Sequence, residues 1–267
     1  MGGRRKNLFT KNNFFLNNRY NYLLNHISNN FKFCSKIIII CKKKERKFIK
    51  YKKISNIEFI FLTSSTNQID TISKIKNKID NKKPIFVLNS DAYFNFYDQI
   101  PKLKKNLIKN EIIFFGIKNY INIQNYFDKD TLKIFNNKIS SIKIKNGSPD
   151  NKKVFVSAGL YYFKNFQTFD ELYLKFLKTK KKINKNFQIA HLLKFSLDNK
   201  IINYCFVKNF VDLGNDKKLK EYNFWYKFFK EKFFDKDDKK IKNILNIIPA
   251  AGEGSRHKKL GYNKPKP

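Results

Sequence analysis

The last part of the chain carries a residue pattern suited to binding phosphate groups. An apolar stretch at residues 244–249 runs into Gly252 and Gly254, which are followed by Arg256 and, further on, by Lys266. Glycine has no Cβ, so its backbone N–H group can approach phosphate oxygens closely, and the basic side chains add positive charge. The spacing therefore predicts a loop that binds a triphosphate, with Arg256 placed to neutralise a leaving pyrophosphate.

Two aspartates are placed where a sheet would bring them together. Asp91 follows the apolar residues 84–89, and Asp212 precedes Gly214 after a later apolar segment. The carboxyl ends of parallel strands share one edge of a sheet, and ligands of open α/β sheets bind at that edge. We therefore expect the two carboxylates to converge there. The alternatives are local ones, a helix N-cap or turn for Asp91 and an Asx turn with Gly214 for Asp212.

The elements that must position these residues alternate along the chain. Short apolar segments predict strands at residues 36–41, 57–63, 84–89, 111–117, 154–163, 201–207 and 244–249. Longer segments of helical spacing predict helices at residues 20–30, 68–79, 169–180, 187–197 and 217–233. Two alternating segments, 131–135 and 139–145, predict a hairpin. The order is typical of an α/β fold with a Rossmann-like, mostly parallel sheet flanked by helices.

Residues 246–267 resemble the opening signature of the sugar-phosphate nucleotidyltransferases. In that signature a strand leads into G-x-G-x-R and then, after a spacer, into a Lys-Pro pair. The resemblance implies nucleotide binding by Gly252 and Gly254, and catalytic roles for Arg256 and Lys266. It also implies a fold of the nucleotide-diphospho-sugar transferase type.

The body of the chain resembles the remainder of the same pattern in the same order. Its first loop resembles an eroded copy of the signature, which implies nucleotide binding by Gly2 and Gly3 and catalytic roles for Arg4 and Lys11. Residues 66–71 resemble the glutamine loop that contacts the base, through Gln68.

Three further segments extend the resemblance to the metal and the sugar. Residues 86–91 and 210–214 resemble the two metal-binding segments, which implies that Asp91 and Asp212 hold Mg²⁺ as the cofactor. Residues 157–163 resemble the sugar-side strand, which implies sugar binding by Gly159. Lys145 resembles the lysine of a Glu-Lys pair that faces a sugar phosphate, although Ile144 stands in the place of the glutamate.

The resemblance also predicts how the chain is organised. We expect a nucleotidyltransferase-like domain at residues 1–235, a charged linker at 236–243, and the first strand and glycine-rich loop of a second such domain at 244–267. The chain ends inside a motif, so we expect it to be part of a longer tandem protein.

Composition limits the remaining function classes. The 267 residues carry 57 Lys+Arg against 21 Asp+Glu, a net charge of +36, and only five of the basic residues are arginine. Lysine, asparagine, isoleucine, phenylalanine and tyrosine have A- and T-rich codons, so codon drift explains the charge without a specific nucleic-acid partner. Three dispersed cysteines and the lack of a long apolar run predict a cytoplasmic protein without a membrane span, and an oligomer is compatible with the sequence.

The function that these observations predict is the transfer of a nucleoside monophosphate from an NTP to a sugar 1-phosphate or a similar phosphorylated alcohol. Pyrophosphate is released, and the product would serve polysaccharide or cell-envelope biosynthesis. One alternative is a catalytically silent domain that binds a nucleotide or sugar and regulates a second copy. A glycosyltransferase of related fold and a nucleic-acid binder are the others.

Overall fold

The fold is seen in a computed structural model of the chain. It describes residues 24, 26–27, 30–31, 33–48, 56–95, 107, 109–117, 129–136, 138–145, 154–179, 187–214 and 216–229. The chain divides into two compact units, Met1–Leu219 and Lys220–Pro267. The predicted domain borders at residues 235 and 243 lie outside the described residues, so they stay predictions.

The described strands form one large sheet and one two-stranded sheet. The strands are β1 (Ile37–Lys42), β2 (Ile57–Leu62), β3 (Ile85–Leu88), β4 (Ala92–Asn95), β5 (Ile112–Ile117), β6 (Thr131–Phe135), β7 (Lys138–Lys143), β8 (Val154–Phe163) and β9 (Ile202–Asp212). β1 and β2 pair in parallel. The large sheet has the order β4-β9-β5-β8-β6-β7, and β3 pairs with β8.

Helices lie between and after these strands. They are α1 (Gln68–Ser73), α2 (Phe166–Thr179), α3 (Ile189–Ser196) and α4 (Asp216–Phe229), with short 3-10 helices at Lys43–Phe48 and Lys76–Lys78. Asn67 caps α1 by accepting a hydrogen bond from the backbone N–H of Asp70. This cap explains why the helix begins directly after the loop at residues 63–67.

The α/β class is confirmed, and the pairing is more antiparallel than the alternation of strands and helices predicts. β5 pairs with β9 in parallel, whereas β8 runs antiparallel to β3, β5 and β6. β4 was not predicted, and it pairs antiparallel to β9. Its four residues follow a tight turn and give no separate periodic signal, so the sequence pattern could not show it.

The core lies on both faces of the central strands. Every residue of β5 is buried. Ile113, Phe115 and Ile117 belong to one apolar cluster, and Ile112 and Phe114 belong to the other. Successive side chains of a strand point to opposite faces, so a continuous apolar run is what a doubly covered central strand requires.

The predicted hairpin is present. β6 and β7 pair antiparallel from Thr131–Lys143 to Phe135–Lys138, and Asn136 has a left-handed φ of 47° in the turn. Asparagine tolerates this conformation better than most residues. The open end of the hairpin brings Asp130 and Lys145 together, and both belong to the candidate site.

Across the part of the chain that the structure describes, no helix combines the length and the apolar character needed to cross a bilayer.

Candidate active site

Asp91 and Asp212 lie on neighbouring backbone segments. Asp91 stands in the turn that joins β3 to β4, and Asp212 is the last residue of β9. Ala92, the first residue of β4, pairs with Asp212, and the N–H of Leu213 donates to the carbonyl oxygen of Asp91 at 2.8 Å. The sheet therefore fixes the two aspartates side by side, although it does so through antiparallel pairing.

Gly214 leaves the space into which both carboxylates point. Its N–H donates to Oδ1 of Asp212 at 2.7 Å. A Cβ at this position would lie 2.7 Å from Oδ1 of Asp212 and 3.6 Å from Oδ2 of Asp91. Both oxygens thus lie close to one point, and any side chain at residue 214 would fill it.

Two lysines bind the second oxygen of Asp212. The Nζ atoms of Lys129 and Lys218 each lie 2.6 Å from Oδ2. The Asp212 side chain is only 9% exposed, and those of the lysines are 25% and 23% exposed. Burial by itself would raise the pKa of Asp212, but the charges and hydrogen bonds of Lys129 and Lys218 outweigh it and leave the pKa below its ordinary value.

Asp130 extends the charged cluster towards the β6–β7 hairpin. Its Oδ1 accepts a hydrogen bond from the backbone N–H of Lys145 at 3.2 Å, and its carbonyl oxygen accepts one from the N–H of Ser157 at 2.8 Å. Burial raises the pKa of Asp130, with Lys145 and Lys129 acting in the opposite direction. The side chain of Lys145, which has a left-handed φ of 50°, is exposed.

Tyr161 on β8 is a buried neighbour of the charged cluster. It is fully buried, and its hydroxyl lies 3.5 Å from Oγ of Ser157. Burial raises the pKa of Tyr161 strongly, and the negative charges of Asp130 and Asp91 raise it further. Both carboxylates therefore act electrostatically on the same buried tyrosine.

Gln68 and Gly159 are linked through Asn89. Nε2 of Gln68 donates to Oδ1 of Asn89, and Oε1 of Gln68 accepts from the N–H of Ile189 at 3.0 Å. The N–H of Asn89 donates to the carbonyl oxygen of Gly159 at 2.8 Å. Both ends of the Gln68 amide thus have partners within the chain, and the residues predicted to face the base and the sugar are tied to each other.

The remaining predicted site residues lie outside the described residues. They are Gly2, Gly3, Arg4 and Lys11 of the first loop, and Gly252, Gly254, Arg256 and Lys266 of the second. Conversely, Lys129, Lys218 and Asp130 were not predicted. Lysines are so numerous in this chain that the spacing of these two carries no signal.

Asp91 suits Mg²⁺ better than Asp212 does. Carboxylate oxygens are the donors that Mg²⁺ prefers, often one or two of them together with substrate phosphates. Oδ2 of Asp91 faces the space beside Gly214, whereas the oxygens of Asp212 already accept from Gly214, Lys129 and Lys218. Within the described ranges, no group of three or more His, Cys, Asp or Glu side chains is placed to hold a metal ion.

Solved structures match this fold, although the sequence matches no known protein family and no curated protein. A glucose-1-phosphate thymidylyltransferase from Bacillus anthracis is 13% identical, with a TM-score of 0.54 over 79% of this chain and 81% of its own. An apo UDP-glucose pyrophosphorylase is 14% identical, with a TM-score of 0.58 over 79% and 87%. The 4-diphosphocytidyl-2C-methyl-D-erythritol synthase from Anaerococcus prevotii is 15% identical, with a TM-score of 0.55 over 78% and 89%.

The chain has the nucleotide-diphospho-sugar transferase fold. This confirms the fold that the resemblance implied. At these identities the match shows a shared path of the backbone, while the chemistry depends on the residues of this chain.

Proposed function

We propose that the chain is a nucleotidyltransferase that moves a nucleoside monophosphate from an NTP to a sugar 1-phosphate or a similar phosphorylated alcohol, with release of pyrophosphate. One observation carries the proposal. Asp91 and Asp212 border the space beside Gly214, and Lys129 and Lys218 bind Asp212, in a fold that solved nucleotidyltransferases share.

The reaction asks little covalent chemistry of the protein. A phosphate oxygen of the acceptor is already a nucleophile, so catalysis consists mainly of positioning and charge neutralisation. Lysine ammonium groups at the sheet edge supply such positive charge. Asp91 would hold Mg²⁺ together with phosphate oxygens, and the ion would supply further positive charge for neutralisation.

The proposal also includes loop residues that rest on the sequence alone. Gly252, Gly254 and Arg256 are assigned to triphosphate binding, with Lys266 beyond them. In the first loop, Gly2 and Gly3 are proposed to bind the nucleotide, and Arg4 and Lys11 are proposed as catalytic residues. Lys145 and Gly159 are assigned to binding of the acceptor. Ile144 replaces the glutamate of the Glu-Lys pair, and the carboxylate of Asp130 accepts a hydrogen bond from the backbone of Lys145 instead.

The names of the structural neighbours indicate the substrate class. Their names contain a thymidylyl donor with glucose 1-phosphate, UDP-glucose, and a diphosphocytidyl group on a methyl-erythritol. The nucleotide base and the acceptor thus differ among these neighbours, although each of them matches the fold of this chain. A product that enters polysaccharide or cell-envelope synthesis, in the cytoplasm, is part of the same proposal.

A second candidate is the silent nucleotide- or sugar-binding domain. Gln68 is the residue predicted to contact the base. Its side-chain amide donates a hydrogen bond to Asn89 and accepts one from the backbone N–H of Ile189. An amide that is held in this way supports the fold of the loop rather than the reading of a base edge. This candidate predicts binding without turnover.

Product detection distinguishes the two candidates. The full chain is incubated with Mg²⁺, the four NTPs plus dTTP, and a panel of sugar 1-phosphates and phosphorylated polyols, and the mixture is examined by mass spectrometry. The proposal predicts a nucleoside diphosphate-linked product and an equal amount of pyrophosphate. Binding of a nucleotide without any such product, across the panel, would favour the silent domain.

A further inference from the structure

Asp212 is an unusual candidate for a metal ligand because its charge is already balanced by this chain. Its Oδ1 accepts from the N–H of Gly214 at 2.7 Å, and its Oδ2 accepts from Lys129 and Lys218 at 2.6 Å each. A cation bound to Oδ2 would have to displace an ammonium group. It would also lie beside two positive charges, which repel it at short range.

The two lysines approach the carboxylate from different parts of the fold. Lys129 precedes β6 at the open end of the hairpin, and Lys218 lies in the first turns of α4. Both Nζ atoms contact the same oxygen, so they are held close together although their charges repel each other. Such a pair is stable only with an anionic group between or beside the two ammonium groups, and Asp212 is the anchor that provides it.

The ammonium pair stands at the same edge as Asp91. Oδ2 of Asp91 and Oδ1 of Asp212 lie 3.6 Å and 2.7 Å from the place where a Cβ of residue 214 would be. The space beside Gly214 is therefore bordered by a carboxylate suited to a metal ion on one side and by the lysine-bound carboxylate on the other. A phosphate chain with several oxygens can bridge two ammonium groups, as the carboxylate of Asp212 does.

We propose that Lys129 and Lys218 are phosphate-binding residues, and that Asp212 positions them instead of holding the metal ion. The inference rests on the proposed function, since it names the groups that bind the triphosphate or the pyrophosphate product at that site. Asp91 remains the metal-binding carboxylate. Phosphate binding at this edge is then partly independent of divalent metal, because lysine charge is present whether or not Mg²⁺ is bound.

Pyrophosphate is the probe that tests this assignment. Its affinity for the full chain is measured by titration calorimetry at fixed ionic strength, once in EDTA and once in Mg²⁺. The proposal predicts binding in both conditions. Lys129→Met and Lys218→Met should each weaken it by about tenfold or more in EDTA as well as in Mg²⁺, since each removes a charge-assisted bond.

Matched variants separate a local effect from the general basic charge of the chain. Lys200 forms one ion pair with Glu111 at 2.8 Å, so Lys200→Met removes a paired lysine elsewhere on the chain and should leave the affinity unchanged. Lys129→Arg keeps the charge and should retain most of the binding. Thermal unfolding of each variant shows whether the fold is intact.

Asp212→Asn decides between the two roles of the aspartate. A positioning role predicts the same loss of pyrophosphate affinity in EDTA and in Mg²⁺, and an unchanged Mg²⁺ concentration for half-maximal binding. A metal-ligand role predicts a loss only in Mg²⁺ and a raised Mg²⁺ requirement. That second pattern, or wild-type affinity in Lys129→Met and Lys218→Met, would overturn the inference.

The outcome is separable from that of the proposed function. A chain that binds pyrophosphate through Lys129 and Lys218 but forms no nucleotide-linked product would retain this inference and lose the enzymatic proposal. A chain that turns over substrates with both lysines replaced by methionine would retain the enzymatic proposal and lose this inference.

Discussion

Gly214 shows how one missing side chain shapes the candidate site. Its N–H is a donor to Asp212, and the empty space beside its Cα is bordered by oxygens of Asp212 and Asp91. The backbone at this residue does not have the positive φ that favours glycine. What requires glycine here is therefore the room beside the two carboxylates rather than the conformation of the chain.

Gly214→Ala consequently tests the site more than the fold. The added methyl would press on Oδ1 of Asp212, whose other oxygen, Oδ2, binds the two lysines. We expect pyrophosphate affinity to fall by about tenfold, since a displaced Asp212 misplaces both ammonium groups. The free energy of unfolding should change by no more than about 1 kcal/mol. Wild-type affinity in this variant would show that the space beside Gly214 is not used.

His26 is a second residue whose chemistry can be measured directly. It is buried against Phe94, Tyr93 and Phe31, and Nε2 has no hydrogen-bond partner among the described residues. The amide of Asn30 lies 3.1 Å from Nδ1. Burial lowers the pKa of His26 from 6.5 to about 4, so the histidine is neutral in the folded protein at neutral pH.

This shift predicts an acid-sensitive stability. Between pH 6.5 and 4 the unfolded chain binds the proton and the folded chain does not, so the free energy of unfolding falls as the pH falls through that range. The loss from this residue totals about 3 kcal/mol. In His26→Phe, which keeps an aromatic ring, this part of the pH dependence should vanish in urea unfolding curves at pH 7, 5.5 and 4. If the free energy of unfolding fell equally with pH in the wild type and in His26→Phe, the assignment would be wrong.

The strand β8 has a local irregularity at Gly159, beside Asn89. Gly159 has a φ of 69°, and the register between β5 and β8 shifts between Phe114 and Gly116. A Cβ at residue 159 would lie 2.9 Å from Nδ2 of Asn89. The bulge therefore lets β8 contact the residue that also holds Gln68.

Two separate costs are expected for Gly159→Ala. The left-handed backbone costs an alanine about 1 to 2 kcal/mol, and the clash with Asn89 adds to this. The atoms of Asn89 near that Cβ are Nδ2, Cβ and Cγ, and an Asn89→Gly background removes all three. Only the backbone cost should remain there, so the loss in free energy of unfolding should be smaller. Chemical denaturation of the four proteins in this cycle measures the difference. Equal losses in both backgrounds would show that Asn89 moves aside without cost.

The elements were predictable to the degree that their pattern was periodic. β8 was predicted with its observed bounds because ten apolar or small residues occur together, and β5 was predicted to within one residue. The prediction of β9 ended at residue 207, whereas the strand continues to Asp212. Residues 208–212 are mixed in polarity, and their pairing with β4, which no local pattern shows, extends the strand.

The site was predictable only in part, for a similar reason. Asp91 follows an apolar strand and Asp212 lies two residues before Gly214, so both stand out in a chain with 21 acidic residues. Lys129 and Lys218 do not stand out among 57 basic residues, and only the folded chain brings them to Asp212. The partners of Gln68 were likewise hidden, because Asn89 and Ile189 are distant from it in sequence.

The whole molecule carries a net charge of +36, so a phosphate-binding site must be distinguished from general attraction of anions. Described lysines also form ion pairs that do not involve Asp212, as in Lys36–Glu58 and Lys200–Glu111. A general excess of lysine attracts any polyanion, but it provides no base-specific contacts.

Binding to DNA should therefore be weak and unselective. Two unrelated duplexes of equal length should bind with the same affinity, and the affinity should fall steeply between about 50 and 200 mM salt because counterion release drives the binding. Fluorescence anisotropy over a salt series measures both properties. Tight and selective binding at the higher salt concentration would favour the nucleic-acid hypothesis instead.

The central claim is that the edge formed by Asp91, Asp212, Lys129 and Lys218 is where nucleotidyl transfer occurs. The most direct test is the rate of pyrophosphate release from NTP and a sugar 1-phosphate by the wild-type chain, by Asp91→Asn and by the exposed control Asp80→Asn. We predict release by the wild type and the control, and a loss of at least about a hundredfold in Asp91→Asn with an unchanged unfolding temperature. Equal rates in all three proteins would contradict the claim.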